Sequence, residues 1–296
     1  MKTSRYAHIF FLAPALITLL VFFFLPVLAA LLMSATDFDV YALGNFGRAR
    51  FLFLENYRRA LEDPLFWKAL FNTFYFVMVG GPLTILVSLA AAVALNAKIL
   101  RFRKFFRLAF FLPVVTTLVA VAVVWRYLYH PRYGMINYLL SGFGIEPIDW
   151  LGDPTWAMPA LILLAVWKNF GYNMLIFLAG LQAIPETLYE SARIDGANWW
   201  QQQFYITIPQ LAPTSIFVTI ITIIGYFQLF AEPFVMTQGG PLNATLSIVL
   251  YLYQQGFRWW QMGYASSIAF ILFFILIVLG LVQELVRRRI NRGGAV

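Results

Sequence analysis

The chain has 296 residues, of which 61% are apolar and only 11% are charged, with a formal net charge of +8. A soluble domain usually carries about a quarter charged residues, so this composition leaves too few polar groups to cover a water-facing surface. The positive charge by itself would fit a nucleic-acid partner or an anionic membrane surface, and the long apolar runs favour the membrane. Cysteine is absent, which excludes disulfide bonds and thiolate metal sites.

The first apolar run, 9–33, follows a short basic start at 1–5 that resembles a signal peptide. Its length exceeds the roughly 7–15 apolar residues of a signal-peptide core. No Ala-x-Ala cleavage pattern ends it cleanly. We therefore interpret this run as a first membrane-spanning helix that is retained.

Six segments have the roughly 20 mostly apolar residues that a spanning helix needs. They are 9–33, 69–95, 108–128, 156–181, 213–235 and 262–286. Strands of a barrel would be shorter and would alternate in polarity. The sequence therefore predicts an all-α polytopic membrane protein with six transmembrane helices in a single domain over 1–296.

The placement of lysine and arginine predicts the orientation of these spans. A six-span path brings the basic ends of the chain and the basic loop after the second span to the same side. These residues are Lys2, Arg5, Lys98, Arg101, Arg103, Lys104, Arg107, Arg287, Arg288, Arg289 and Arg292. We assign that side to the cytoplasm of a bacterial or archaeal cell, with both termini cytoplasmic. The loops 34–68 and 129–155, on the other side, mix both charge signs.

The loop 182–212 lies on the predicted cytoplasmic side but is mildly acidic. Either its charge is free to vary because other loops already fix the topology, or it is a docking surface for another protein. Pro185 and Glu186 suit the first turn of a helix, and Gly196 suits its end. We predict a short helix over 186–195, followed by a second short segment that Pro209 stops before the fifth span.

The spacing within this loop is specific. It reads Glu190-Ser191-Ala192, then Gly196, then Ile206-Thr207-Ile208-Pro209. This pattern resembles the EAA loop of permease subunits of ABC importers, with Ser191 and Ile208 as mild departures. The resemblance implies that residues 186–197 form a coupling helix seated in a cleft of an ATPase subunit. The implied coupling residues are Glu186, Glu190, Ser191, Ala192, Asp195, Gly196 and Ala197.

Three weaker motifs agree in order and position with the MalF-like, carbohydrate-type members of that family. They are Phe53–Tyr57, Trp167–Pro185 and Thr237–Pro241. The resemblance implies a type I importer permease fold and a role as half of the pathway for a sugar, a polyol or a sugar phosphate. The implied partners are a second, MalG-like permease, two copies of a cytoplasmic ATPase, an external solute-binding protein, the sugar and the lipid bilayer, with no nucleic acid.

No Gly-x-x-x-x-Gly-Lys-Ser/Thr phosphate loop occurs in the sequence. ATP and Mg are therefore expected on the partner ATPase subunits. The chain itself is predicted to hold no cofactor or metal and to be no enzyme.

Polar and aromatic side chains near the middle of two predicted spans are candidates for contact with the solute, because polar groups at membrane depth are costly. Hydroxyls and amides bond sugar hydroxyls, and aromatic rings cover the apolar face of a sugar. Aligned on the flanking motifs, the resemblance places the same stretches at the sugar cavity, and Leu229 rests on that alignment alone. The candidates are Lys168, Asn169, Tyr172, Thr222, Tyr226 and Leu229.

Alternative roles for these residues stay open. The two tyrosines and Thr222 could be ordinary helix-packing groups. Lys168 could form a structural ion pair or touch a partner subunit. Its pairing with Glu232 is not expected, because the two differ in depth by roughly 10 Å at about 1.5 Å per residue, and we expect Glu232 to meet water near the mouth of the pathway.

Two other classes of function are considered. An ion-coupled secondary transporter would need carboxylates or unwound helices at membrane depth, and only Glu232 qualifies. A membrane enzyme or assembly scaffold would need paired carboxylates, a metal cluster or a nucleophile with its base, and the sequence offers none of these.

Overall fold

The computed structural model describes residues 7–39, 41, 50–97 and 102–293, which form helices joined by short loops. Within these residues the only β contact is an isolated bridge between Thr36 and Phe51, so the predicted all-α fold is confirmed. The helices are α1 (Ala7–Leu19), α2 (Leu25–Ser34), α3 (Glu55–Glu62), α4 (Pro64–Asn96), α5 (Arg103–Val115), α6 (Leu118–Leu128), α7 (Met135–Ser141), α8 (Pro154–Gln182), α9 (Glu186–Ile194), α10 (Trp199–Gln202), α11 (Ile208–Gln210), α12 (Ala212–Phe227), α13 (Ala231–Met236), α14 (Ile248–Tyr253) and α15 (Met262–Gly293). Short π-helical turns occupy Leu20–Phe24, Gln203–Thr207 and Gln254–Arg258.

Five stretches of helix in the described residues are long and apolar enough to cross a membrane. They are Phe11–Ser34, Pro64–Asn96, Pro154–Gln182, Ala212–Met236 and Met262–Leu285. Each overlaps one of the predicted spans. The count becomes six when α5 and α6 are taken together as one broken span, in agreement with the six-span prediction.

The prediction of a single continuous helix over 108–128 is wrong. The helices α5 and α6 are bent by 101° relative to each other, and the residues between them, Thr116 and Thr117, are extended, with ψ angles of 146° and 137°. Pro113 weakens the last turn of α5, because it has no N–H to donate to the carbonyl of Ala109 in the preceding turn. The freed carbonyl groups at this end of α5 are bonded by side chains instead, as described below.

The predicted orientation in the membrane stays a prediction. Several of the basic residues on which it depends lie outside the described residues. These are Lys2, Arg5, Lys98 and Arg101, together with the side chains of Arg287, Arg289 and Arg292.

The chain divides into two compact units, one made of residues 1–67 and 251–275 and the other of residues 68–250 and 276–296. This division does not test the prediction of a single transmembrane domain over 1–296, which stays a prediction.

In the first unit, the loop helix α3 is fastened to the end of the first span. The buried Asn56 side chain donates to the carbonyls of Ser34, at 2.9 Å, and Thr36, at 2.7 Å. The Tyr57 hydroxyl shares a hydrogen bond of 2.7 Å with the Ser34 hydroxyl. Two neighbouring residues of the Phe53–Tyr57 motif therefore hold α3 against the end of α2.

A second polar cluster in this unit surrounds Asp63. Its carboxylate accepts hydrogen bonds from the hydroxyls of Tyr251 and Tyr264. The Arg59 guanidinium lies over the Tyr264 ring, 4.2 Å from its centroid. This cluster ties the end of α3 to α14 and to the start of α15.

In the second unit, α8 is the central helix, with more than half of its most apolar stretch buried in the chain. A Cβ atom on Gly171 would lie only 2.0 Å from the carbonyl oxygen of Phe110, and one on Gly180 only 2.6 Å from the Thr214 hydroxyl oxygen. The two glycines therefore let the backbone of α5 and the start of α12 approach α8 closely. Between these contacts, Met174, Phe177 and Val218 form part of the buried apolar core.

The stretch directly after the Thr237–Pro241 loop is held by the start of α4. Lys68 donates from its ammonium to the carbonyl of Leu242 at 2.6 Å, and Asn72 donates to the carbonyls of Asn243 and Leu246 at 2.9 and 3.0 Å. Gly239 has a φ of +88°, which a glycine adopts without strain. The motif is thus a turn that leads directly into residues bonded to a spanning helix.

Candidate functional site

A cavity of about 380 Å³ lies in the second unit, beside the middle of α8. Its walls come from α4, the break between α5 and α6, the middle of α8, the end of α12 and the start of α13. The residues that line it are Phe76, Val114, Leu118, Asn169, Tyr172, Asn173, Ile221, Thr222, Gly225, Tyr226, Gln228, Leu229, Phe230, Ala231 and Glu232. Five of the six predicted solute contacts are among them, and Lys168 is the exception.

Lys168 bonds the broken end of α5. Its ammonium donates to the carbonyl of Thr116 at 2.8 Å and to that of Pro113 at 3.1 Å. The Thr116 hydroxyl also donates to the Pro113 carbonyl, at 2.6 Å. A cation at the C-terminus of a helix both satisfies unpaired carbonyls and interacts favourably with the helix dipole.

This position changes the interpretation of Lys168. Val114 and Leu118, on either side of the break, line the cavity, whereas Lys168 does not. Its geometry favours a positioning role, in which it sets the bend that forms one wall of the cavity. Direct contact between Lys168 and the solute stays a prediction.

Tyr226 forms a buried wall of the cavity. Its hydroxyl shares a hydrogen bond of 2.6 Å with the Thr84 hydroxyl on α4, and its ring packs against Phe76 with 4.9 Å between centroids. Gly80 makes room for the ring, because a Cβ atom there would lie 3.2 Å from it. The Tyr226 ring is thus fixed in place, and its hydroxyl already has a partner within the chain.

The polar side chains of α8 in the cavity differ in how firmly they are held. Asn173 donates to the Thr222 hydroxyl at 2.9 Å, and both are buried. Asn169 donates from its amide nitrogen to the carbonyl of Ala165 at 2.8 Å and is half-buried. Tyr172 is half exposed, with 51% of its surface accessible. Tyr172 and Asn169 therefore offer polar groups to a ligand, whereas Asn173 and Thr222 mainly hold α8 to α12.

A second break, at 228–230, lies between α12 and α13. The carbonyl of Leu229 accepts a hydrogen bond of 2.5 Å from the Ser247 hydroxyl. Buried Leu229 and the following Glu232 line the cavity at this break. In the described part of the chain no ion pair within 4.0 Å joins Glu232 to Lys168. The cavity therefore lies where two broken spans meet an unbroken one.

The sequence reasoning did not name Asn173, Phe76 or Val114 as site residues. Asn173 follows Asn169 by one helical turn, so helical spacing could have indicated it. Phe76 and Val114 are apolar and resemble their neighbours along the helix. They reach the cavity only through the packing of α4 and the bend after α5, which no local pattern reveals.

In the loop 182–212, the short helix ended by Gly196 is confirmed. The helix α9 ends with the hydrogen bonds Gly196 N–H to Arg193 carbonyl, 3.1 Å, and Ala197 N–H to Ala192 carbonyl, 2.8 Å. Gly196 has a φ of +81°. This is the Schellman ending, which requires a left-handed residue at the position of Gly196. Pro185 precedes the helix rather than lying in its first turn.

The second segment of the loop runs further than predicted. Asn198 and Gln201 cap its start reciprocally, with bonds of 2.9 and 2.7 Å. A π-turn over Gln203–Thr207 follows, and helix continues to Gln210. Pro209 does not stop the segment, which continues to Gln210. It lies among the first residues of α11, where a missing N–H costs no helical hydrogen bond.

The predicted coupling residues lie on the surface of the chain. No residue of α9 is buried. Glu186 lies 3.9 Å from the Arg193 guanidinium, Ser191 donates to the carbonyl of Thr187, and Glu190 and Asp195 are exposed to solvent. Ala192 and Ala197 are joined by the bond that ends the helix. Their predicted contact with an ATPase stays a prediction.

Within the described residues, no group of three His, Cys, Asp or Glu side chains could hold a metal ion. The side chain of His8 lies outside the described residues, and His130 stacks on Tyr133 with 3.6 Å between ring centroids. The chemistry that the cavity offers is hydrogen bonding and ring contact.

Comparison with known proteins identifies related chains. Probable ABC transporter permease protein YurN of Bacillus subtilis (strain 168) is 35% identical over 276 residues, which cover 92% of this chain and 93% of that protein. Lactose transport system permease protein LacF of Rhizobium radiobacter is 38% identical over 278 residues, which cover 92% of this chain and 91% of that protein.

Among solved structures, a chain of a bacterial alginate ABC transporter in complex with an alginate pentasaccharide-bound periplasmic protein matches with a TM-score of 0.80. The match covers 97% of this chain and 96% of that chain at 23% sequence identity, and it shows that the two share a fold. A family model described as binding-protein-dependent transport system inner membrane component matches residues 66–292. The chain therefore belongs to the family of inner membrane components of binding-protein-dependent transport systems, which confirms the resemblance seen in its sequence.

Proposed function

We propose that this chain forms half of the translocation pathway of an ATP-driven importer for a sugar, with the cavity beside α8 as the solute site. Family membership supports transport that depends on a binding protein, and it does not favour the alternative of an ion-coupled secondary transporter. The names of relatives support the solute class, since LacF is named for lactose and the structural neighbour for alginate.

The observation that carries the proposal is the position and chemistry of the cavity. It lies beside the middle of α8, where the breaks after Val115 and Phe227 meet that helix. Its volume of about 380 Å³ falls in the range of about 300–1,000 Å³ for small-molecule sites. Asn169, Tyr172 and Gln228 offer amide and hydroxyl groups, and aromatic rings form part of the wall.

The exposed surface of α9 supports coupling to an ATPase. The helix buries none of its residues fully in the chain, and its Schellman ending fixes its shape in advance. We propose that two ATPase copies bind ATP and Mg, and that one of them receives residues 186–197. A MalG-like permease and an external solute-binding protein complete the assembly, as the periplasmic protein in the neighbour's complex suggests.

The proposed cycle is alternating access, with no chemical step in this chain. Closure of the ATPase dimer on ATP moves α9, and the spans open the cavity to the outside to receive the solute. Hydrolysis returns the inward-facing state. This cycle requires both termini and the 182–212 loop to be cytoplasmic, as the distribution of lysine and arginine predicts.

The test is ATP-dependent uptake of radiolabelled sugars into proteoliposomes that contain the complete complex and its binding protein. Tyr172→Ala should raise the KM for transport about tenfold or more, since it removes a ring and a hydroxyl from the cavity. Tyr138→Ala is the matched control, because Tyr138 is more exposed, at 77%, and lies on α7 outside the cavity. Equal kinetics for both variants would refute the assignment of the site, and uptake without ATP would refute the class of transporter.

A further inference from the structure

The segment that follows the coupling helix, Trp199–Gln210, has a polar side that is already engaged. Gln202, Gln203 and Thr207 line an open cavity of about 660 Å³, together with Arg103, Glu186, Arg193 and residues from the ends of α4 and α8. The Thr207 hydroxyl shares a hydrogen bond of 2.9 Å with the Tyr189 hydroxyl on α9. These contacts fix which side of the segment faces the rest of the chain.

Other side chains of the segment are aromatic or aliphatic and lie exposed. Trp200, Phe204, Tyr205 and Ile208, here named the aromatic patch, are 65%, 59%, 80% and 46% exposed. The rings of Trp200 and Phe204 stack with 6.4 Å between centroids. Large exposed apolar patches of this kind usually mark an interaction surface.

The distribution of charge indicates what covers the patch. No Asp, Glu, Lys or Arg occurs from Gly196 to Ala231, whereas the preceding helix α9 carries Glu186, Glu190 and Arg193 and is followed by Asp195. A water-soluble subunit docks most readily on a surface with charged and polar groups around its rim, which α9 provides. The absence of charge from the segment that carries the aromatic patch fits a lipid environment instead.

The patch also continues into a membrane span. Only Leu211 separates α11 from α12, the first helix of the span Ala212–Met236. Tryptophan and tyrosine concentrate at the boundary between lipid headgroups and acyl chains. A segment with one engaged polar side and one exposed aromatic side at that boundary has the form of an interfacial anchor.

We propose that the aromatic patch is inserted in the lipid headgroup boundary and fixes the height of the coupling loop at the membrane surface. The anchor keeps the segment Trp199–Gln210 at a fixed depth while α9 moves with the ATPase. The movement of α9 is therefore transmitted to α12 and does not tilt the whole loop. The side of the membrane and the ATPase contact rest on the proposed function, whereas the insertion into lipid does not.

The absence of cysteine from the chain makes a direct test simple. Nitroxide labels are placed on Trp200→Cys, Phe204→Cys and Tyr205→Cys in a complex reconstituted in liposomes, with partner subunits that also lack cysteine. Ile194→Cys on α9, which is 87% exposed, is the control. The measurement is the accessibility of each label to oxygen, which concentrates in lipid, and to a water-soluble nickel chelate, with and without the ATPase subunits.

We expect the three patch labels to be more accessible to oxygen than to the nickel chelate, whether or not the ATPase is present. If the patch labels are accessible to the nickel chelate without the ATPase and protected from it when the ATPase is bound, the ATPase covers the patch. That result would overturn the proposal. Labels protected from both reagents in both samples would show that the second permease covers it, with the same consequence.

The control separates the two proposals. Ile194→Cys should be accessible to the nickel chelate without the ATPase and protected with it, and failure of that result would count against the proposed coupling role alone.

A second measurement changes the patch only slightly. Quenching of tryptophan fluorescence by brominated lipids should be weaker in Trp200→Phe than in the unaltered protein. Equal quenching in the two proteins would contradict insertion of Trp200.

Discussion

The ammonium of Lys168 donates a hydrogen bond to the main-chain carbonyl of Thr116 at 2.8 Å. This contact joins the middle of α8 to the point where α5 breaks, and a second bond from the same ammonium reaches the carbonyl of Pro113. A lysine that would be costly inside a membrane span is thus used to satisfy carbonyls that the break leaves without helical partners. The bend it stabilises places Val114 and Leu118 in the wall of the cavity.

Replacement of Lys168 by methionine should destabilise the bend and impair transport. The substitution removes two hydrogen bonds, one to the exposed Thr116 carbonyl and one to the Pro113 carbonyl, which keeps the Thr116 hydroxyl as a donor. A typical hydrogen bond contributes about 0.5–1.5 kcal/mol. We expect lower thermal stability in detergent and a several-fold loss of uptake, with normal insertion in the membrane. Lys168→Arg keeps a donor and should retain most of both properties. Full stability and transport in Lys168→Met would show that the contact with Thr116 does not hold the bend.

Replacement of Gly225 by leucine should block the cavity without disturbing the fold. Gly225 lines the cavity, and a Cβ atom there would meet nothing within 4 Å. We expect uptake to fall at least tenfold while the complex assembles normally. Gly280→Leu is the matched control, because Gly280 also lies in a spanning helix with open space around its Cβ position. If both variants transport normally, the solute does not pass beside Gly225.

Replacement of Gly196 by valine should weaken docking of the ATPase. The position has open space around it, so the cost comes from its φ of +81°, which costs a residue other than glycine roughly 1–2 kcal/mol. Gly196→Asn should be tolerated better, since asparagine adopts this conformation more readily. The measurement is co-purification of the ATPase and its stimulated hydrolysis. Full assembly and full transport in Gly196→Val would argue against the docking role.

The cluster around Asp63 should stabilise the protein in a pH-dependent manner. Burial raises the pKa of Asp63, but hydrogen bonds from Tyr251, Leu65 and Tyr264 together hold that pKa below its ordinary value. The folded protein therefore binds this proton less readily than the unfolded chain. The contribution of Asp63 to stability is fully present above its pKa in the unfolded chain, about 3.9. It is lost as the pH falls through the lower pKa of the folded protein.

Asp63→Asn should accordingly lower the thermal unfolding midpoint by an amount that is constant between about pH 5 and pH 8 and that shrinks below about pH 4. The control is Glu62→Gln, which removes only an exposed ion pair with Arg58 and should change the midpoint little. If the decrease in the unfolding midpoint caused by Asp63→Asn grew as the solution became more acidic, that result would contradict this account.

The parts of the fold that follow from local sequence were predictable. Span positions depend on the length of apolar runs, and the ending of α9 depends on Gly196 and its neighbours, so both were found. The spacing of the 182–212 loop also identified the family. The polar candidates Asn169, Tyr172 and Tyr226 were found because polar groups are rare within apolar helices.

The parts that depend on distant contacts were not predictable. Pro113 is a local signal of a weak end to α5, but the break after Val115 is stabilised by Lys168, which lies far along the chain. Asn56 reads as an ordinary polar residue of a loop, yet it bonds the end of the first span. Lys168 itself was recognised as unusual, but its partners are main-chain carbonyls, which a sequence pattern of charges does not show.

The central claim, that the cavity beside α8 opens alternately to the two sides of the membrane, is tested most directly by labelling Tyr172→Cys in proteoliposomes with a thiol reagent that does not cross the membrane. We predict labelling from the cytoplasmic side in the resting complex and from the opposite side when ATP is held in the ATPase dimer, with protection by the transported sugar. Labelling from the same side in both states, or from neither side in either state, would contradict the account.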